Sequence, residues 1–343
     1  MSDINSLSNQ FFDLREARRP NRRTWAKHAL LMLAALSTMT IAGVLEPFGF
    51  IPIFPDSNPQ TGAEILKFLF SLPQLYLELV TETAKRLATR PEELKYGLSF
   101  SLSLLAILTA HESGHYVTCR LYGVNATLPF FIPTPPLIGP AGTLGAFIKI
   151  LSPMPSRRAT FDIGVAGPIA GFLALIPVAI FGVATMREVP FTRPENLTGG
   201  LVFSDPLLIR ILAFLFEIDL NAAIYPNPFY AAAWIGLLVT SLNLIPSGQL
   251  DGGHAVFAIF GRRVHRRTGR IAFVVMAIVA ILGWFLYNSP SGILFAVLLG
   301  VMMRIRHPEA IDNAPLGFGR KMAALLVVLI FILCFVPFPI QIR

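Results

Sequence analysis

The chain has 343 residues, of which 54% are hydrophobic and only 14% are charged. Soluble domains carry roughly 25% charged residues, so this deficit excludes an ordinary soluble globular protein and favours an integral membrane protein. The net charge of +8 does not indicate nucleic-acid binding, because no basic helix with interleaved aromatic residues stands apart from the apolar segments. Cys119 and Cys334 lie in or beside apolar segments, which predicts two buried free thiols rather than a disulfide.

Seven apolar runs are long enough, or nearly so, to cross about 30 Å of hydrocarbon as helices. In chain order they are 29–45, 98–122, 161–185, 230–244, 271–287, 293–303 and 322–336. The turn signal Asn288-Ser289-Pro290 separates the fifth run from the sixth. The sixth run is short and also fits a half-helix or a hairpin. The predicted fold class is therefore an all-α polytopic membrane protein with about seven transmembrane helices.

The basic residues give the expected orientation, since Lys and Arg concentrate in cytoplasmic loops. Six of them precede the first run, which predicts a cytoplasmic N-terminus. Alternation then places segments 46–97 and 186–229 outside, and the basic clusters of 262–270 and 304–321 inside. Every dense basic cluster falls on the same side of the membrane. We expect a multi-pass integral protein of a prokaryotic cell (inner) membrane.

Two other stretches carry structural information. Segment 62–89 repeats apolar residues at helical spacing, which predicts an amphipathic helix at the outer surface. Pro73 should kink this helix or split it in two. Segment 129–145 contains too many prolines and glycines for a spanning helix, and 146–150 resembles a short strand. A re-entrant or membrane-associated β-structure beside an active site fits this pattern, and an ordinary cytoplasmic loop is the alternative.

Residues 111–115 read H-E-S-G-H and match the pattern H-E-x-x-H. On a helix, His111 and His115 lie on nearly one face, and both imidazoles can reach one Zn²⁺. Glu112 can then act on a water molecule at the metal without being a ligand. Ionisable groups at the end of an apolar helix are functional by default. The alternative is a solvated, idle extension of the helix.

A catalytic zinc needs a third protein ligand. His28, His265 and His307 lie among basic residues at predicted membrane borders and are expected to be interfacial charges. The remaining candidate region is 243–254, at the cytoplasmic end of the fourth run, where Asp251 can supply a carboxylate. Pro246 and the glycines of this region are expected to break the helix and let the backbone turn. The alternative for this region is a helix end followed by a polar loop.

Together these motifs resemble the site-2 protease family of intramembrane zinc metalloproteases. Residues 243–252 match its pattern N-x-x-P-x-x-x-L-D-G in full, and 166–168 read A-G-P in the intervening helix. The resemblance covers about 98–260 and implies that Asp251 completes the zinc shell. It also implies that Asn243 helps to hold substrate or the developing oxyanion. It further implies that the β-structure containing Gly142 and Gly145 binds an unwound substrate segment by strand addition.

The predicted organisation has four parts. A basic cytoplasmic segment occupies 1–27, and the first transmembrane helix with the outer amphipathic region occupies 28–95. The catalytic core spans 96–260, and C-terminal transmembrane helices span 261–343. Segment 186–229 is too short for the PDZ domain that many bacterial members carry, so the chain is more similar to PDZ-less bacterial and plastid members.

The predicted function is zinc-dependent hydrolysis of peptide bonds in a transmembrane segment. His111 lies sixteen residues after Lys95 and nine before Arg120, or about 24 Å and 14 Å along a helix. Cleavage is thus expected near the cytoplasmic face, as in regulated intramembrane proteolysis that releases a signalling domain. The expected partners are a membrane-protein substrate with a transmembrane helix and the lipid bilayer, without nucleic acid. The alternatives are a non-catalytic membrane scaffold and a metal transporter that uses the same ligands.

Overall fold

The structure, a computed structural model, describes residues 20–53, 61–137, 140–187, 201–222, 224–225, 227–304, 310–312 and 316–342. Nine α-helices lie within these ranges and form most of the described chain. Their bounds are α1 Arg22–Val44, α2 Gly62–Thr89, α3 Pro91–Leu121, α4 Arg157–Ala184, α5 Leu207–Leu215, α6 Pro228–Asn243, α7 Asp251–Tyr287, α8 Ser291–Met302 and α9 Phe318–Cys334.

Six short strands accompany the helices in the described ranges. They are β1 Phe130–Pro133, β2 Thr143–Phe147, β3 Met154–Ser156, β4 Leu201–Phe203, β5 Ala310–Asp312 and β6 Ile340–Ile342. β1 and β2 form an antiparallel hairpin, β3 pairs with β5 in parallel, and β4 pairs with β6 antiparallel. The mainly helical fold class is confirmed, and the β1–β2 hairpin lies within 129–150, where a short β-structure was predicted. The predicted strand at 146–150 begins three residues earlier, at Thr143.

Several helices begin at a residue whose side chain accepts a hydrogen bond from a free backbone N–H of the first turn. The side chains of Asn21, Ser156 and Asn227 cap α1, α4 and α6. Thr61 and Glu64 form a reciprocal capping box at the start of α2. The amphipathic helix predicted at 62–89 is therefore present, and it is not split, because it continues through Pro73 as one element.

The centre of the molecule is formed by α3, α4 and α6. Their shared core contains fully buried side chains from each helix, among them Phe161, Leu175 and Leu237. On the other side of α3, Phe100 and Leu104 pack against α1 and α6. This arrangement holds the middle of the chain as a bundle in which α3 carries the H-E-x-x-H motif and α6 ends at Asn243, the first residue of the second motif.

Four helices of the described chain are long and apolar enough to cross a membrane, namely α1, α3, α4 and α7. The other predicted crossings correspond to α6, α8 and α9, which have 16, 12 and 17 residues. A membrane chain with at least these four candidate spans is consistent with the predicted class, and seven crossings are not confirmed by helix length.

Helix α7 begins twenty residues before the predicted start at 271. It starts at Asp251 and contains a break at Gly261, where φ is +77°. L-residues rarely adopt this backbone conformation, whereas glycine does so at little cost. Hydropathy alone missed the first part of the helix because 262–270 is rich in arginine.

Two histidines expected at the membrane interface are buried instead. A ring nitrogen of His28 lies 2.8 Å from the carbonyl oxygen of Pro129, and His265 Nε2 lies 3.0 Å from that of Gly248. Each ring satisfies a backbone carbonyl that has no helical partner, so the expectation of an interfacial charge was wrong for both. His307 lies outside the described residues. Cys119 and Cys334 are buried and free, as expected.

Close packing of α1 on α3 depends on the absence of a side chain at Gly97. A Cβ at this position would lie 2.6 Å from the carbonyl oxygen of Thr40, and overpacking of this kind typically costs about 1–3 kcal/mol. We expect Gly97→Ala to lower the thermal unfolding midpoint of the detergent-solubilised chain. Gly319→Ala is the matched control, because a Cβ there meets nothing within 4 Å. An unchanged midpoint in Gly97→Ala would contradict this packing.

Candidate metal centre

Helix α3 places His111 and His115 on the face that packs against α4. Both side chains are buried. The facing residues of α4 are Gly167 and Gly171, where a Cβ would lie 2.0 Å from Nε2 of His115 and 3.0 Å from Cβ of His111, respectively. The glycines therefore provide the space that the two imidazoles occupy between the helices.

The link between α6 and α7 brings Asp251 to the same place. α6 ends at Asn243, and residues 244–250 reverse the chain before Asp251 opens α7. Gly252 makes this reversal possible, since a Cβ there would lie 2.0 Å from the carbonyl oxygen of Leu244. The predicted break of the helix at Pro246 and the glycines is confirmed, and it directs the carboxylate back toward α3.

The two Nε2 atoms and the carboxylate of Asp251 converge within hydrogen-bonding distance of one another. His111 Nε2 lies 3.2 Å from Asp251 Oδ2, His115 Nε2 lies 3.3 Å from Asp251 Oδ1, and the two Nε2 atoms are 3.2 Å apart. Ligands bonded to one tetrahedral zinc at about 2.0–2.1 Å are separated by about 3.3 Å. The observed distances between the two imidazoles and the carboxylate are therefore close to those expected for three residues around a single ion.

The hydrogen bonding of His115 favours metal binding. Its Nδ1 lies 2.7 Å from the carbonyl oxygen of Ile163, which only a protonated Nδ1 can approach as a donor. In the neutral ring, Nε2 of His115 then carries a lone pair, which faces His111 Nε2 and the carboxylate of Asp251. A backbone carbonyl on the second nitrogen is the usual way in which proteins orient a metal-binding histidine. Two imidazoles and one carboxylate fit a catalytic zinc site.

Glu112 lies beside this triad and outside it. The group of residues that could hold an ion consists of His111, His115 and Asp251 among the described residues. Glu112 is buried and borders the same cavity, as does Ile148 of the segment that follows β2. Its carboxylate is thus in a position to exchange a proton with a molecule in the cavity.

A half-open cavity of about 640 Å³ gives access to the triad. It is bordered by α3, by the segment 146–154, by the start of α4 and by residues 243–254. Asn243 also borders the cavity. Its amide nitrogen lies 3.3 Å from His111 Nε2. A cavity with one polar end and an apolar wall of strand residues can accept an extended peptide.

The structure also brings to the cavity residues to which the sequence pattern assigned no role of their own. Ile148, Lys149 and His254 border the cavity. Ile148 and Lys149 belong to the predicted strand 146–150, and His254 is the last residue of the candidate region 243–254, three residues after Asp251 on α7.

Gly142 and Gly145, the predicted substrate-binding residues, do not border the cavity. The carbonyl oxygen of Gly142 accepts a hydrogen bond from Thr38 Oγ1 at 2.7 Å, which attaches the hairpin to α1. Gly145 lies within β2, with open space beside its Cα. Their direct contact with substrate stays a prediction.

Residues 99–284 match the family model described as Peptidase family M50. The chain belongs to this family. The M50 match covers both metal-binding motifs and more than half of the chain, and it confirms the resemblance to the site-2 proteases.

Curated relatives carry related names. "Probable zinc metalloprotease EGY2, chloroplastic" of Oryza sativa subsp. indica is 31% identical over 198 residues, which are 55% of this chain and 34% of that protein. "Probable zinc metalloprotease EGY1, chloroplastic" of Arabidopsis thaliana is 28% identical over 246 residues, 70% of this chain and 43% of that protein. The chain thus spans less than half the length of these relatives. No solved structure gives a significant match.

The two glycines of α4 offer a test of the imidazole positions. We expect Gly167→Ala to weaken zinc binding tenfold or more, because its Cβ would overlap His115 Nε2, and even indirect partners of ligands contribute about 10–100-fold. Gly171→Ala should cost less, since its Cβ would lie 3.0 Å from the nearest atom of His111. Zinc content by atomic absorption and competition with a chelator would measure both variants. Wild-type affinity in Gly167→Ala would refute this arrangement.

Proposed function

We propose that the chain is a zinc-dependent metalloendopeptidase that hydrolyses peptide bonds in or near transmembrane segments of membrane proteins. The observation that carries the proposal is the triad of His111, His115 and Asp251 with Glu112 beside it, in one cavity of a helix bundle. Membership in the M50 family and the names of the curated relatives support the same activity.

Each polar group of the cavity has a role in this reaction. His111, His115 and Asp251 would hold zinc, which when bound supplies a Lewis acid and lowers the pKa of water at the site to about 7. Glu112 takes a proton from the attacking water and returns it to the leaving amine. The amide of Asn243 is placed beside His111, where it can donate a hydrogen bond to the carbonyl oxygen of the substrate.

The substrate must present an extended backbone, since the peptide groups of a transmembrane helix are paired within the helix. β1 and β2 form a two-stranded sheet, so an edge of β2 is available in the described chain, and 146–150 border the cavity next to it. We propose that an unwound substrate segment adds to this edge. Gly145 then contributes a position in β2 without a side chain, and Gly142 holds the hairpin on α1.

The proposed topology has seven crossings, with α6, α8 and α9 completing the four longer helices, and a cytoplasmic N-terminus. The four-part organisation at 1–27, 28–95, 96–260 and 261–343 follows from it. The site then lies toward the cytoplasmic end of α3, and cleavage releases a cytoplasmic domain of the substrate. The curated relatives are named chloroplastic, so a plastid membrane stands beside a prokaryotic inner membrane as the proposed location.

A metal transporter and a catalytically inactive scaffold remain the competing functions. Neither requires a carboxylate beside the metal ligands that is not itself a ligand, whereas hydrolysis requires it as the base. The position of Glu112 outside the triad therefore favours hydrolysis, and its substitution separates the three functions.

We expect Glu112→Gln to keep its fold and its zinc and to lose cleavage by about 10²–10⁴-fold or more, since the amide cannot accept the proton of water. The measurement is zinc content and cleavage of one transmembrane substrate in proteoliposomes, with wild type beside mutant. A chelator should abolish the wild-type reaction, and added zinc should restore it.

Near-normal cleavage by zinc-bound Glu112→Gln would contradict the mechanism. Metal flux across the membrane no greater than that of protein-free liposomes, in both proteins and with cleavage lost in the mutant, would exclude the transporter. Absence of cleavage in the wild type with a panel of transmembrane substrates would favour the scaffold.

The topology is tested with single cysteines at two exposed positions, Ala63 at the start of α2 and Arg266 on α7. The background replaces Cys119 and Cys334 by alanine. We expect a membrane-impermeant thiol reagent to label Ala63→Cys from outside intact cells and Arg266→Cys only after permeabilisation. Labelling of both positions from the same side would contradict the proposed crossings.

A further inference from the structure

Helix α7 carries a concentration of positive charge away from the metal centre. Five arginines fall within nine residues, directly after the break at Gly261. All five are exposed, and together they border one shallow concavity of about 460 Å³; they are Arg262, Arg263, Arg266, Arg267 and Arg270. No salt bridge to a carboxylate is found for the last four within the described part of the chain.

The exposed face of α7 changes abruptly from basic to apolar. Arg263, Arg267 and Arg270 are spaced four and three residues apart, so they lie on one face. The same spacing continues along α7 into exposed apolar side chains, which include Ile271, Val274, Ile278, Ile281 and Phe285. Residues 271–287 span about 25 Å as a helix, close to the thickness of the hydrocarbon region. The arginines are therefore placed at the border of the hydrocarbon.

The opposite face of α7 is fixed to the protein. Gly269, Met276 and Gly283 are buried along it. His265 is also buried there, with Nε2 3.0 Å from the carbonyl oxygen of Gly248, and its ring lies 5.9 Å from that of Phe257. Because the opposite face of α7 packs against the protein, the backbone that carries the guanidinium groups is fixed in position.

We propose that this surface binds an anionic phospholipid of the surrounding bilayer. The phosphate group occupies the concavity between the arginines, and an acyl chain lies along the exposed apolar face beyond residue 270. Guanidinium groups recognise phosphate oxygens through paired hydrogen bonds as well as charge. The charge complementarity and the adjoining apolar face match one amphipathic ligand.

Other anionic partners would contact the arginines of this surface but not its apolar face. Inorganic phosphate would contact the arginines and leave the apolar face uncovered. An acidic polypeptide would meet the same charges, but its polar backbone has no partner along residues 271–285. The lipid is therefore the occupant that the described surface favours, and it requires only that α7 crosses the membrane.

The experiment measures lipid binding to the full chain in a neutral detergent. Phosphatidylglycerol and phosphatidylcholine are titrated separately, and bound lipid is counted by native mass spectrometry. Arg267→Gln/Arg270→Gln removes two charges from the surface. Arg22→Gln/Arg23→Gln removes two exposed charges from α1 and is the matched control.

We expect phosphatidylglycerol to bind the wild type and the control alike, and to bind the α7 variant roughly twenty-fivefold more weakly, about fivefold for each arginine. Phosphatidylcholine should bind the wild type more weakly than phosphatidylglycerol. Raising the salt concentration should weaken phosphatidylglycerol binding to the wild type, a result that needs no variant to fold.

Equal binding of phosphatidylglycerol by the wild type and the α7 variant would overturn the proposal, as would equal binding of the two lipids by the wild type. Displacement of the lipid by inorganic phosphate or by polyglutamate at matched charge concentration would assign the surface to that partner instead. None of these readouts depends on peptide cleavage, so failure here leaves the proposed protease activity untouched.

Discussion

Two imidazole nitrogens and a carboxylate meet within 3.3 Å of one another between the helices of the bundle. His111 and His115 are buried, and a buried polar atom without a partner is costly. With Nδ1 of His115 committed to Ile163, the neutral ring has no second hydrogen, so the lone pair of its Nε2 faces the carboxylate oxygen of Asp251 at 3.3 Å. A cation bound by all three donors removes this conflict, and much of the surrounding architecture makes the convergence possible.

The space for the triad comes from residues that lack side chains. Gly167 and Gly171 leave room for the imidazoles, and Gly252 lets the chain reverse tightly enough to return Asp251 to α3. Glu112 borders the same cavity as residues 146–150, at the end of β2 and just beyond it. The proposed substrate edge and the proposed base therefore lie at one cavity.

The sequence predicted the parts of this arrangement that depend on local pattern. The histidine pair, Glu112, the apolar runs and the reversal before Asp251 all follow from spacing, hydropathy and helix-breaking residues. The pairings β3–β5 and β4–β6 could not be predicted, because three-residue strands are formed by contacts between distant segments. The first part of α7 was missed because arginines interrupt its apolar pattern, and His28 and His265 were misplaced because their carbonyl partners lie elsewhere in the chain.

X-ray absorption at the zinc edge tests the central claim most directly, because it reports the ligands of the ion itself. For the zinc-loaded full chain we expect imidazole scattering from two histidines and nitrogen or oxygen ligands at about 2.0–2.2 Å. Asp251→Ala should lose most of its zinc or show an altered first shell. A wild-type spectrum without two imidazoles, or an Asp251→Ala spectrum identical to it at full zinc occupancy, would contradict the assignment of His111, His115 and Asp251 as the metal ligands.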